Sequence, residues 1–567
     1  MSYEIRDNKL FYKDTPVASA IEVVGQGRDE NQGGWSKIVR FSDPDGVQKV
    51  LALSSGELLI DWRETLKKLM EAGLQCSNSD LLKKYLLGKN PSERYRLIKT
   101  TGWYGGSVFV LPEQVIGTPE EALLYCASNG KNDYSCAGTL QEWQENIGKY
   151  CQGNDRLILG VSLALAGPLL KLVGLENGGV HLVGQSSTGK STIARVASSV
   201  WGAPTFLKNW RTTDNGMEFL AASRNDTHLG MDELNQADPT KAGKMSYLLG
   251  NGEGKVRGTV FGGFKDSVKW NLLILSTGEK GFSECALETK GRYMAGQEVR
   301  MAELPARGTN YAYGAFQTDH GLGGGKGLAE HLNAAVRSFY GTPAIAFLER
   351  LVEFPKEQLK ESFEVIRERM QAGLYNADGQ VLRVAKRFAL IALAGSLGVE
   401  FGVLPWDKEE TIEAIHRCCN EWVESRGGQT AYEEKALLAQ VKLFLEQNSD
   451  LRFAEIRKGS DIPFDSVPEG STYIDEARGV MAGYKRKNST NDDEYLVFPQ
   501  VFKEEICKGQ DFKYAKDVLV KYGWLLDKSS MSIRIGSEGQ KRVYLMSSKF
   551  WDYNPEAVSS VSDVSSA

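Results

Sequence analysis

The stretch GGVHLVGQSSTGKSTIARVASSV, residues 178–200, decides the fold of the central part of this 567-residue chain. Its order of apolar and glycine-rich segments predicts a strand, then a loop, then a helix. Within it, the spacing Gly184-x4-Gly189-Lys190-Ser191 fits the phosphate-loop pattern at every position. An ordinary glycine turn is the alternative, and the strand-loop-helix context favours the phosphate loop.

Each part of this loop has a chemical role in holding a nucleotide. The glycines let backbone N–H groups turn towards the phosphates, and the N-terminus of the helix adds positive potential. Lys190 is expected to reach the β- and γ-phosphates, and Ser191 to ligate Mg²⁺. The predicted cofactors are therefore ATP and Mg²⁺. The residues predicted to bind the nucleotide here are Gly184, Ser187, Thr188, Gly189, Lys190, Ser191 and Thr192.

A phosphate loop needs an acidic partner, and the segment NDTHLGMDELNQ, residues 225–236, supplies one. Its apolar strand ends in Asp232 and Glu233, and an Asp at the end of a parallel strand can hold the water shell of Mg²⁺. The adjacent Glu233 can act as general base towards the attacking water. Asp232 follows Lys190 by 42 residues, which is enough for a helix, a strand and a connection. An acidic pair at a helix cap is the alternative.

The segment KWNLLILSTGEK, residues 269–280, predicts a third strand that ends in Ser276 and Thr277. In ATPases with an additional strand, a polar residue at this place lies between the two acids and senses the γ-phosphate. Thr277 is the predicted sensor, with Ser276 as the other candidate.

Four arginines are candidates for completing the site. Arg300 stands at the predicted start of a fourth strand, with Arg292 just before it. An arginine there points away from its own phosphate loop and can complete the site of a neighbouring subunit, so Arg300 is the predicted finger and Arg292 the alternative. A surface ion pair is the other interpretation of each. In the helical region, Arg383 or Arg387 could contact the γ-phosphate from a lid, and Arg383 is the one predicted to bind the nucleotide.

The order of these motifs resembles that of the AAA+ ATPases. The segments GGVHLVGQSSTGKST, MEFLAASRNDTHLGMDELNQ, YLLGNGEGKVRG, LLILSTGE and AGQEVRMAELPA are similar to the mobile-element family first described as domain of unknown function 927. Better-understood members of that family are replicative helicases that resemble MCM proteins. The resemblance covers roughly residues 35–430, with its most specific motifs between 178 and 305. One departure is the Ser-Thr pair of the third strand, where many AAA+ proteins have Asn.

The resemblance implies an α/β fold with an AAA+ phosphate-loop ATPase core, made of a parallel sheet and a helical lid. It also implies a hexameric ring with ATP sites between subunits. Translocation on single-stranded DNA, 3′ to 5′ as in MCM helicases, follows from the same resemblance.

The segment NGEGKVRGTVFGGFKDSVKWN, residues 251–271, predicts a hairpin of two short strands around Gly262-Gly263. An insertion at this place resembles the pore hairpin of MCM helicases, with Lys265 near its tip and Phe261 and Phe264 alongside. Cationic side chains can follow the phosphates of a single strand, and aromatic rings can stack on its bases. A basic hairpin packed on a neighbouring domain is the alternative. The residues predicted to bind DNA are Lys255, Arg257, Lys265 and Lys269.

Composition limits the possible classes of protein. The hydrophobic fraction of 41% and the charged fraction of 25% are typical of a globular protein. A net charge of −5 excludes a surface that is cationic throughout, so nucleic acid must be bound by local clusters. The most apolar run, Leu157–Leu170, has 14 residues, fewer than the roughly 18 needed to span a bilayer, and predicts a buried helix. With no signal peptide at the N-terminus, a cytoplasmic protein without membrane contact is expected. Its scattered cysteines are expected to be reduced thiols, because the ligand sets near them are incomplete.

Changes of pattern along the chain predict five parts. They are an α+β N-terminal domain that could guide DNA as a collar (1–150), the ATPase core (151–345), a helical lid (346–430), a winged-helix-like domain (431–553) and a disordered tail (554–567). Asp43-Pro44-Asp45-Gly46 predicts a hairpin turn, and the Gly-rich residues 321–327 predict a flexible loop. In the C-terminal domain, an amphipathic helix at 511–526 and two strands with basic residues could contact duplex DNA or a replication protein.

The leading hypothesis is an ATP-dependent DNA helicase, a ring-forming motor on single-stranded and forked DNA that replicates a mobile genetic element. The alternative is a non-unwinding ATP switch that acts as a replication initiator or a DNA-binding regulator. A remodeller of proteins is a third possibility, and the four basic residues of the 255–269 hairpin argue against it.

Overall fold

The structure is a computed structural model, and the residues it describes are 3–126, 132–258, 264–265, 267–288, 299–374, 377–426, 432–458, 472–474, 479–535 and 539–553. The chain divides into two compact units, Met1–Ala372 with Val384–Trp422 and Gly373–Arg383 with Val423–Ala567. Within the described ranges, no helix combines the length and the apolar character that crossing a membrane requires. The finer division into five parts stays a prediction.

A five-stranded sheet in which all strands run parallel forms the centre of the first unit. The strands follow one another across the sheet in the order Lys208–Asn209, Thr227–Asp232, Leu272–Gly278, Gly178–Val183 and Met301–Pro305. We call Thr227–Asp232 the acidic strand, Leu272–Gly278 the inserted strand and Gly178–Val183 the phosphate-loop strand. Parallel sheets are covered on both faces, and every residue of the inserted strand is buried. The predicted mixed α/β class with a parallel sheet is confirmed.

Helices and apolar side chains cover both faces of this sheet. On one face, the helices Asp155–Ala166 and Lys190–Ser199 pack on the acidic and inserted strands. Every residue of Asp155–Ala166 is buried, as the length of its apolar run predicts. Burying each Leu or Ile side chain stabilises such a core by roughly 1.5–3 kcal/mol. On the other face, alternate strand residues such as Met231 and Ile274 pack with Trp210 and Trp270.

The first 126 residues of the chain contain a second five-stranded sheet. Its strands follow the order Ala122–Tyr125, Arg94–Ile98, Ile21–Arg28, Ser36–Ser42 and Gln48–Ser54. Ser36–Ser42 and Gln48–Ser54 are antiparallel, and the Asp43 carboxylate accepts the backbone N–H of Val47 at 2.8 Å in the turn between them. The hairpin turn predicted at 43–46 is confirmed.

The remaining elements of the first unit are short strands and helices. The strands are Tyr3–Arg6, Lys9–Tyr12, Thr15–Ser19, Gly102–Tyr104, Val108–Val110, Val115–Ile116, Arg257–Gly258 and Phe264–Lys265. The α-helices are Ser55–Ile60, Trp62–Glu71, Ser79–Gly88, Leu140–Asn146, Leu169–Val173, Asp214–Ser223, Pro239–Asn251, Phe282–Glu288, Gly324–Ala335, Thr342–Leu351, Lys356–Met370 and Lys408–Ser425. Short 3-10 helices in the described ranges of this unit span Gly148–Tyr150, Pro204–Phe206 and Leu234–Gln236. The long helix Gly379–Glu400 starts in the second unit and continues in the first.

The Gly-rich segment 321–327 differs from its prediction. A loop was expected through residue 327, but a helix spans Gly324–Ala335. Leu328, Leu332 and Ala335 lie on one face of this helix and are buried. Burial of that apolar face outweighs the low helix propensity of the glycines at its start, so the prediction of a loop was wrong from residue 324 onwards.

The second unit contains a six-stranded mixed sheet and several helices. The strands follow the order Thr472–Ile474, Phe453–Lys458, Gly483–Lys487, Asp493–Val497, Gln540–Ser547 and Met531–Arg534. The helices are Tyr432–Asn448, Pro499–Val501, Phe512–Lys521, a π-helix at Phe502–Ile506 and a 3-10 helix at Ser548–Asp552. The expected helix is present at Phe512–Lys521, and the expected strand pair is present at Met531–Arg534 and Gln540–Ser547 as part of the larger sheet. The winged-helix-like domain stays a prediction. The tail predicted at 554–567 lies outside the described residues.

Candidate functional site

The predicted phosphate loop lies at the carboxyl end of the phosphate-loop strand, at the edge of a parallel sheet where ligands usually bind. The helix Lys190–Ser199 begins directly after the loop. Gly189 has a φ of 103°, and a Cβ atom there would lie 2.8 Å from the ring of Phe316. Both the backbone conformation and the lack of space therefore require glycine at this position.

A cavity of about 850 Å³ opens over this loop, a volume within the range of small-molecule sites. Six of the predicted nucleotide-binding residues line it, and these are the residues from Ser187 to Thr192. Gly184 lies beneath them, and its carbonyl oxygen accepts a hydrogen bond from Lys190 Nζ at 2.7 Å. The first amides of a helix have no partner inside the helix, so those at 190–192 are available to an anion in the cavity.

Lys190 is held in the middle of the loop. Only 7% of the residue is exposed, and its Nζ also donates to the carbonyl oxygen of Gln185 at 2.6 Å. Burial lowers the pKa of the Lys190 ammonium, and the carboxylates of Glu279 and Asp232 partly offset this effect. A cation with so little access to water gains strongly from an anionic ligand placed beside it.

Three polar side chains from separate segments meet beside the loop. Ser191 Oγ donates to Asp232 Oδ1 at 3.0 Å, and Thr277 Oγ1 donates to the same carboxylate oxygen. The backbone N–H of Glu233 donates to Thr277 Oγ1 at 3.2 Å. Carboxylate and hydroxyl oxygens are the donors that Mg²⁺ prefers, so Ser191 and Asp232 could hold this ion. Elsewhere in the described ranges, no three His, Cys, Asp or Glu side chains form a metal-binding group.

Glu233 occupies a strained backbone conformation at the end of the acidic strand. Its φ is 58°, in the left-handed region, where a residue other than glycine costs roughly 1–3 kcal/mol. The Glu233 side chain is exposed, lines the cavity and accepts a hydrogen bond from Gln236 Nε2. This geometry leaves its carboxylate accessible to a water molecule in the cavity.

Ser276 and Thr277, the two candidate sensors, have different surroundings. Thr277 lines the cavity, whereas Ser276 is fully buried and its Oγ accepts the indole N–H of Trp210 at 2.9 Å. His181 Nε2 lies 3.0 Å from the carbonyl oxygen of Lys280, which can only accept, so this nitrogen bears the proton. His181 Nδ1 therefore accepts from Ser276 Oγ at 2.8 Å. Burial lowers the pKa of His181 to about 4 and keeps the ring neutral.

One wall of the cavity was missed by the sequence analysis. Tyr313, Gly314 and Phe316 line it, together with the helix Gly324–Ala335. Asn333 of that helix donates to Thr192 Oγ1 at 3.2 Å. The signal was the Gly-rich segment itself, GLGGGKGLAEH, which was assigned to a loop because it lacks the complete phosphate-loop ending. Glu279 is a further residue of the cavity, and it directly follows the inserted strand.

Arg300 lies at the opposite edge of the sheet from its own phosphate loop. It directly precedes the strand Met301–Pro305, which runs parallel to the phosphate-loop strand with Met301 opposite Gly179. The phosphate-loop strand has six residues, and at 3.3 Å per residue its amino end lies about 20 Å from the phosphate loop. Arg300 is therefore remote from the phosphate loop of its own chain. Arg292, the alternative finger, lies outside the described residues.

The two candidate lid arginines differ in position. Arg387 is buried at the amino edge of the central sheet, where it donates to the carbonyl oxygens of Val299 at 2.8 Å and Asn177 at 3.2 Å. Asn177 directly precedes the phosphate-loop strand, so Arg387 points to the end remote from the phosphate loop. It is not a γ-phosphate contact in its own chain, because its guanidinium satisfies buried carbonyl groups there. Arg383 belongs to the second unit, and its role stays a prediction.

The predicted hairpin is present as two antiparallel strands, Arg257–Gly258 and Phe264–Lys265, with Arg257 opposite Lys265. The antiparallel pairing of the two arms continues towards the base of the hairpin, where the backbone N–H of Gly254 donates to the carbonyl oxygen of Val268 at 2.8 Å. Residues 259–263, which include Phe261 and the two glycines, and the side chains of Arg257, Phe264 and Lys265 lie outside the described part.

The two outer lysines of the hairpin each face a carboxylate. Lys255 Nζ lies 2.7 Å from Asp214 Oδ2, and this hydrogen bond lowers the pKa of Asp214. Lys269 Nζ lies 3.9 Å from Glu253 Oε1. Both ammonium groups remain largely exposed, with 59% and 75% of the side chains accessible.

The parallel sheet, with a strand between the phosphate-loop strand and the acidic strand, is an α/β arrangement consistent with a helicase or ATPase core. Residues 4–269 match the family model described as domain of unknown function (DUF927), which confirms that domain over this range. The match includes the phosphate loop and the acidic pair and ends before the inserted strand. A search of curated proteins finds no significant match.

Among solved structures, the chain is similar to one described as "SCCmec type IV Cch - active helicase". The TM-score is 0.69, and the alignment covers 96% of this chain and 95% of that chain at 17% sequence identity. At this identity, the likeness concerns the fold, and it extends over nearly the whole chain.

Proposed function

We propose that this protein is an ATP-dependent DNA helicase, which works as a ring with ATP sites between its subunits. The observation that supports this most is the convergence of Lys190, Ser191, Glu233 and Thr277 on one cavity of about 850 Å³. Asp232 lies next to it, where its carboxylate accepts hydrogen bonds from Ser191 and Thr277. The similarity of the fold to a structure described as an active helicase is a second support.

The residues around the cavity fit ATP with Mg²⁺. Lys190 would bind the β- and γ-phosphates, and Ser191 with Asp232 would hold the metal ion. Glu233 would accept the proton of the attacking water, because its carboxylate is exposed at the cavity. Thr277 bonds both the Asp232 carboxylate and the Glu233 backbone, so it would keep the two acids aligned. Bound ATP would supply the phosphoanhydride bond whose hydrolysis releases the free energy for movement.

The position of Arg300 supports a shared site in a ring, which we take to be a hexamer. An arginine about 20 Å from its own phosphate loop can reach a nucleotide only on a neighbouring subunit. Arg300 would then stabilise the negative charge that develops on the γ-phosphate. Arg383 is proposed separately as a γ-phosphate contact from a lid. The first 150 residues would guide DNA as a collar.

The hairpin at 255–269 is the proposed contact with single-stranded DNA. Lys255, Arg257, Lys265 and Lys269 would follow the phosphates, and movement 3′ to 5′ during replication of a mobile element is proposed from the family resemblance. Arg534, Lys541 and Arg542 lie on the hairpin of the second unit and would contact duplex DNA or a replication protein.

A strand-displacement assay on forks with a 3′ or a 5′ single-stranded tail tests this proposal. The expected result is ATP-dependent unwinding of the 3′-tailed fork, absent in Lys190→Ala. A second comparison is ATPase activity with and without an oligothymidylate, and Lys265→Ala should bring the ratio of the two rates close to one. Lys241→Ala, an exposed lysine outside the hairpin, is the matched control. ATP hydrolysis that is indifferent to DNA would contradict the helicase proposal.

The ion pairs of Lys255 with Asp214 and of Lys269 with Glu253 favour a second candidate. Two of the four proposed DNA contacts already have an anionic neighbour, which weakens their attraction to phosphates. A non-unwinding ATP switch, acting as replication initiator or DNA-binding regulator, would need less contact with a moving strand. It predicts ATP-dependent assembly and DNA binding without strand displacement in the same assay.

A further inference from the structure

Arg300 is held by the last turn of the helix Pro239–Asn251. Its Nη2 donates to Asn251 Oδ1 at 2.7 Å, and its guanidinium carbon lies 4.1 Å from the centre of the Tyr247 ring. Tyr247 and Asn251 are four residues apart, so both face the same side of the helix. A planar guanidinium that is stacked on a ring and also hydrogen-bonded at one end has a defined orientation.

Gly250 completes this contact. A Cβ atom at Gly250 would lie 2.4 Å from Cδ and 2.6 Å from Cγ of Arg300. The stem of Arg300 therefore rests directly on the helix backbone, which only glycine permits at this distance. Tyr247, Gly250 and Asn251 thus form a clamp around one arginine, which we call the Arg300 clamp.

The same helical turn also anchors the base of the hairpin. The indole N–H of Trp270, on the returning arm, donates to the Leu249 carbonyl at 3.1 Å. The backbone N–H of Trp270 donates to the Gly252 carbonyl at 2.9 Å. Trp270 is only 2% exposed, so the contact between the hairpin base and the helical turn is buried. A shift of the hairpin base must therefore move the turn that holds Arg300, because packed contacts transmit small displacements.

We infer that Tyr247 and Asn251 are positioning residues, which set the orientation of Arg300 according to the state of the hairpin. This inference rests on the proposed function, in which Arg300 acts on a neighbour's nucleotide and the hairpin contacts DNA. DNA bound to the hairpin would act on hydrolysis through Trp270, the last turn of Pro239–Asn251 and Arg300. Neither positioning residue touches the nucleotide of its own chain, because both lie at the amino edge of the sheet.

The activity test compares four variants of the full chain in steady-state ATPase assays, with and without oligothymidylate. Tyr247→Leu and Asn251→Ala are expected to lower kcat about tenfold, since a misplacement of 1 Å can cost up to about 100-fold. KM should change less than about twofold, because the phosphate loop is untouched, and stimulation by DNA should fall. Tyr247→Phe keeps the ring and should restore most of kcat. Arg300→Ala shows how far kcat falls when the arginine itself is removed.

The outcomes separate this inference from the proposed function. If Arg300→Ala lowers kcat while Tyr247→Leu and Asn251→Ala do not, the clamp is overturned and the shared site stands. If Arg300→Ala itself has the kcat of the unaltered protein, the shared site fails, and the clamp fails with it. A loss of DNA stimulation in Lys265→Ala but not in Tyr247→Leu would overturn the route from the hairpin to Arg300.

A second measurement does not depend on nucleotide. The melting temperature of the nucleotide-free protein is compared for Tyr247→Leu, Arg300→Ala and the double variant. Residues in contact are not additive, so the double variant should lose less than the sum of the two single losses. Additive losses would show that Tyr247 and Arg300 do not interact, and would overturn the clamp whatever the ATPase results.

Discussion

The two edges of the central sheet are built in different ways. At the carboxyl edge, short contiguous motifs bring Lys190 and Thr277 to one cavity and place Asp232 within hydrogen-bonding distance of Thr277. At the amino edge, Arg300 and Arg387 bind groups from distant segments, such as Asn251 and Asn177. The candidate site at the carboxyl edge is built from motifs that are local in sequence, whereas the amino edge depends on packing between remote segments.

The largest expected effect lies at the carboxyl edge. Lys190→Ala should lower ATPase activity by about 100-fold or more, the effect typical of removing one preorganised donor. It should also abolish ATP binding, which titration with a fluorescent ATP analogue measures. Lys326→Ala is the matched control, since Lys326 lines the same cavity, is 87% exposed and lies 3.8 Å from Glu330. If Lys190→Ala and Lys326→Ala lost ATP affinity equally, the phosphate loop would have no specific role in ATP binding.

Glu233→Gln should separate binding from hydrolysis at the same edge. Losing a general base typically costs about 100- to 10,000-fold in rate, while the phosphate contacts remain. The variant should bind ATP with nearly unchanged affinity and remain trapped in the assembled ring. Phosphate release and light scattering measure the two properties. A variant that hydrolyses ATP at the normal rate would remove Glu233 from the proposed chemistry.

Arg387→Met should affect stability and not nucleotide binding. The buried carbonyls of Val299 and Asn177 lose their donor, which costs about 1–3 kcal/mol of unfolding free energy in each orphaned group. Burial lowers the pKa of Arg387 to about 10, which leaves it charged at neutral pH. Denaturant unfolding measures the loss, and ATP affinity should stay within about twofold. A large loss of ATP affinity in Arg387→Met, with an unchanged free energy of unfolding, would show that Arg387 takes part in nucleotide binding.

The last expected effect is confined to acid conditions and leaves stability at neutral pH unchanged. Burial lowers the pKa of His181 to about 4 and, with the charge of Arg224, that of His228 to about 3, from a usual value of 6.5. Below pH 6.5 the unfolded chain binds protons that the folded protein does not, so stability falls between about pH 6.5 and 4. Each histidine adds a slope of up to about 1.4 kcal/mol per pH unit. Urea unfolding across this range should show a shallower slope in His228→Phe.

Many residues that line the cavity could be predicted from the sequence, because they belong to motifs of fixed spacing. Gly189, Lys190 and Ser191 have fixed positions in a pattern, and Asp232 and Glu233 end an apolar run. Neither feature depends on remote contacts. The parallel sheet followed from the same alternation of apolar strands and helices.

The wall formed by Tyr313 and the helix Gly324–Ala335 could not be predicted in this way. Glycines have low helix propensity, and the burial that overrides it is known only when the partner surface is known. The position of Arg387, the alternative to Arg383, could not be predicted for a related reason. An arginine in the apolar stretch RFALIALAGSL looks available for a ligand, but it satisfies carbonyl groups roughly 90 and 210 positions away. The six-stranded sheet of the second unit was missed because its strands are short and rich in charge.

The separation of Arg300 from its own phosphate loop has a consequence for how the protein behaves on dilution. If each reaction centre needs groups from two chains, a lone chain contains only half of two different centres. ATPase activity per milligram of protein should then fall when the protein is diluted below the dissociation constant of the subunits, by mass action. Separate subunits would then hydrolyse little ATP, and only subunits assembled on the same DNA molecule would hydrolyse it at the full rate.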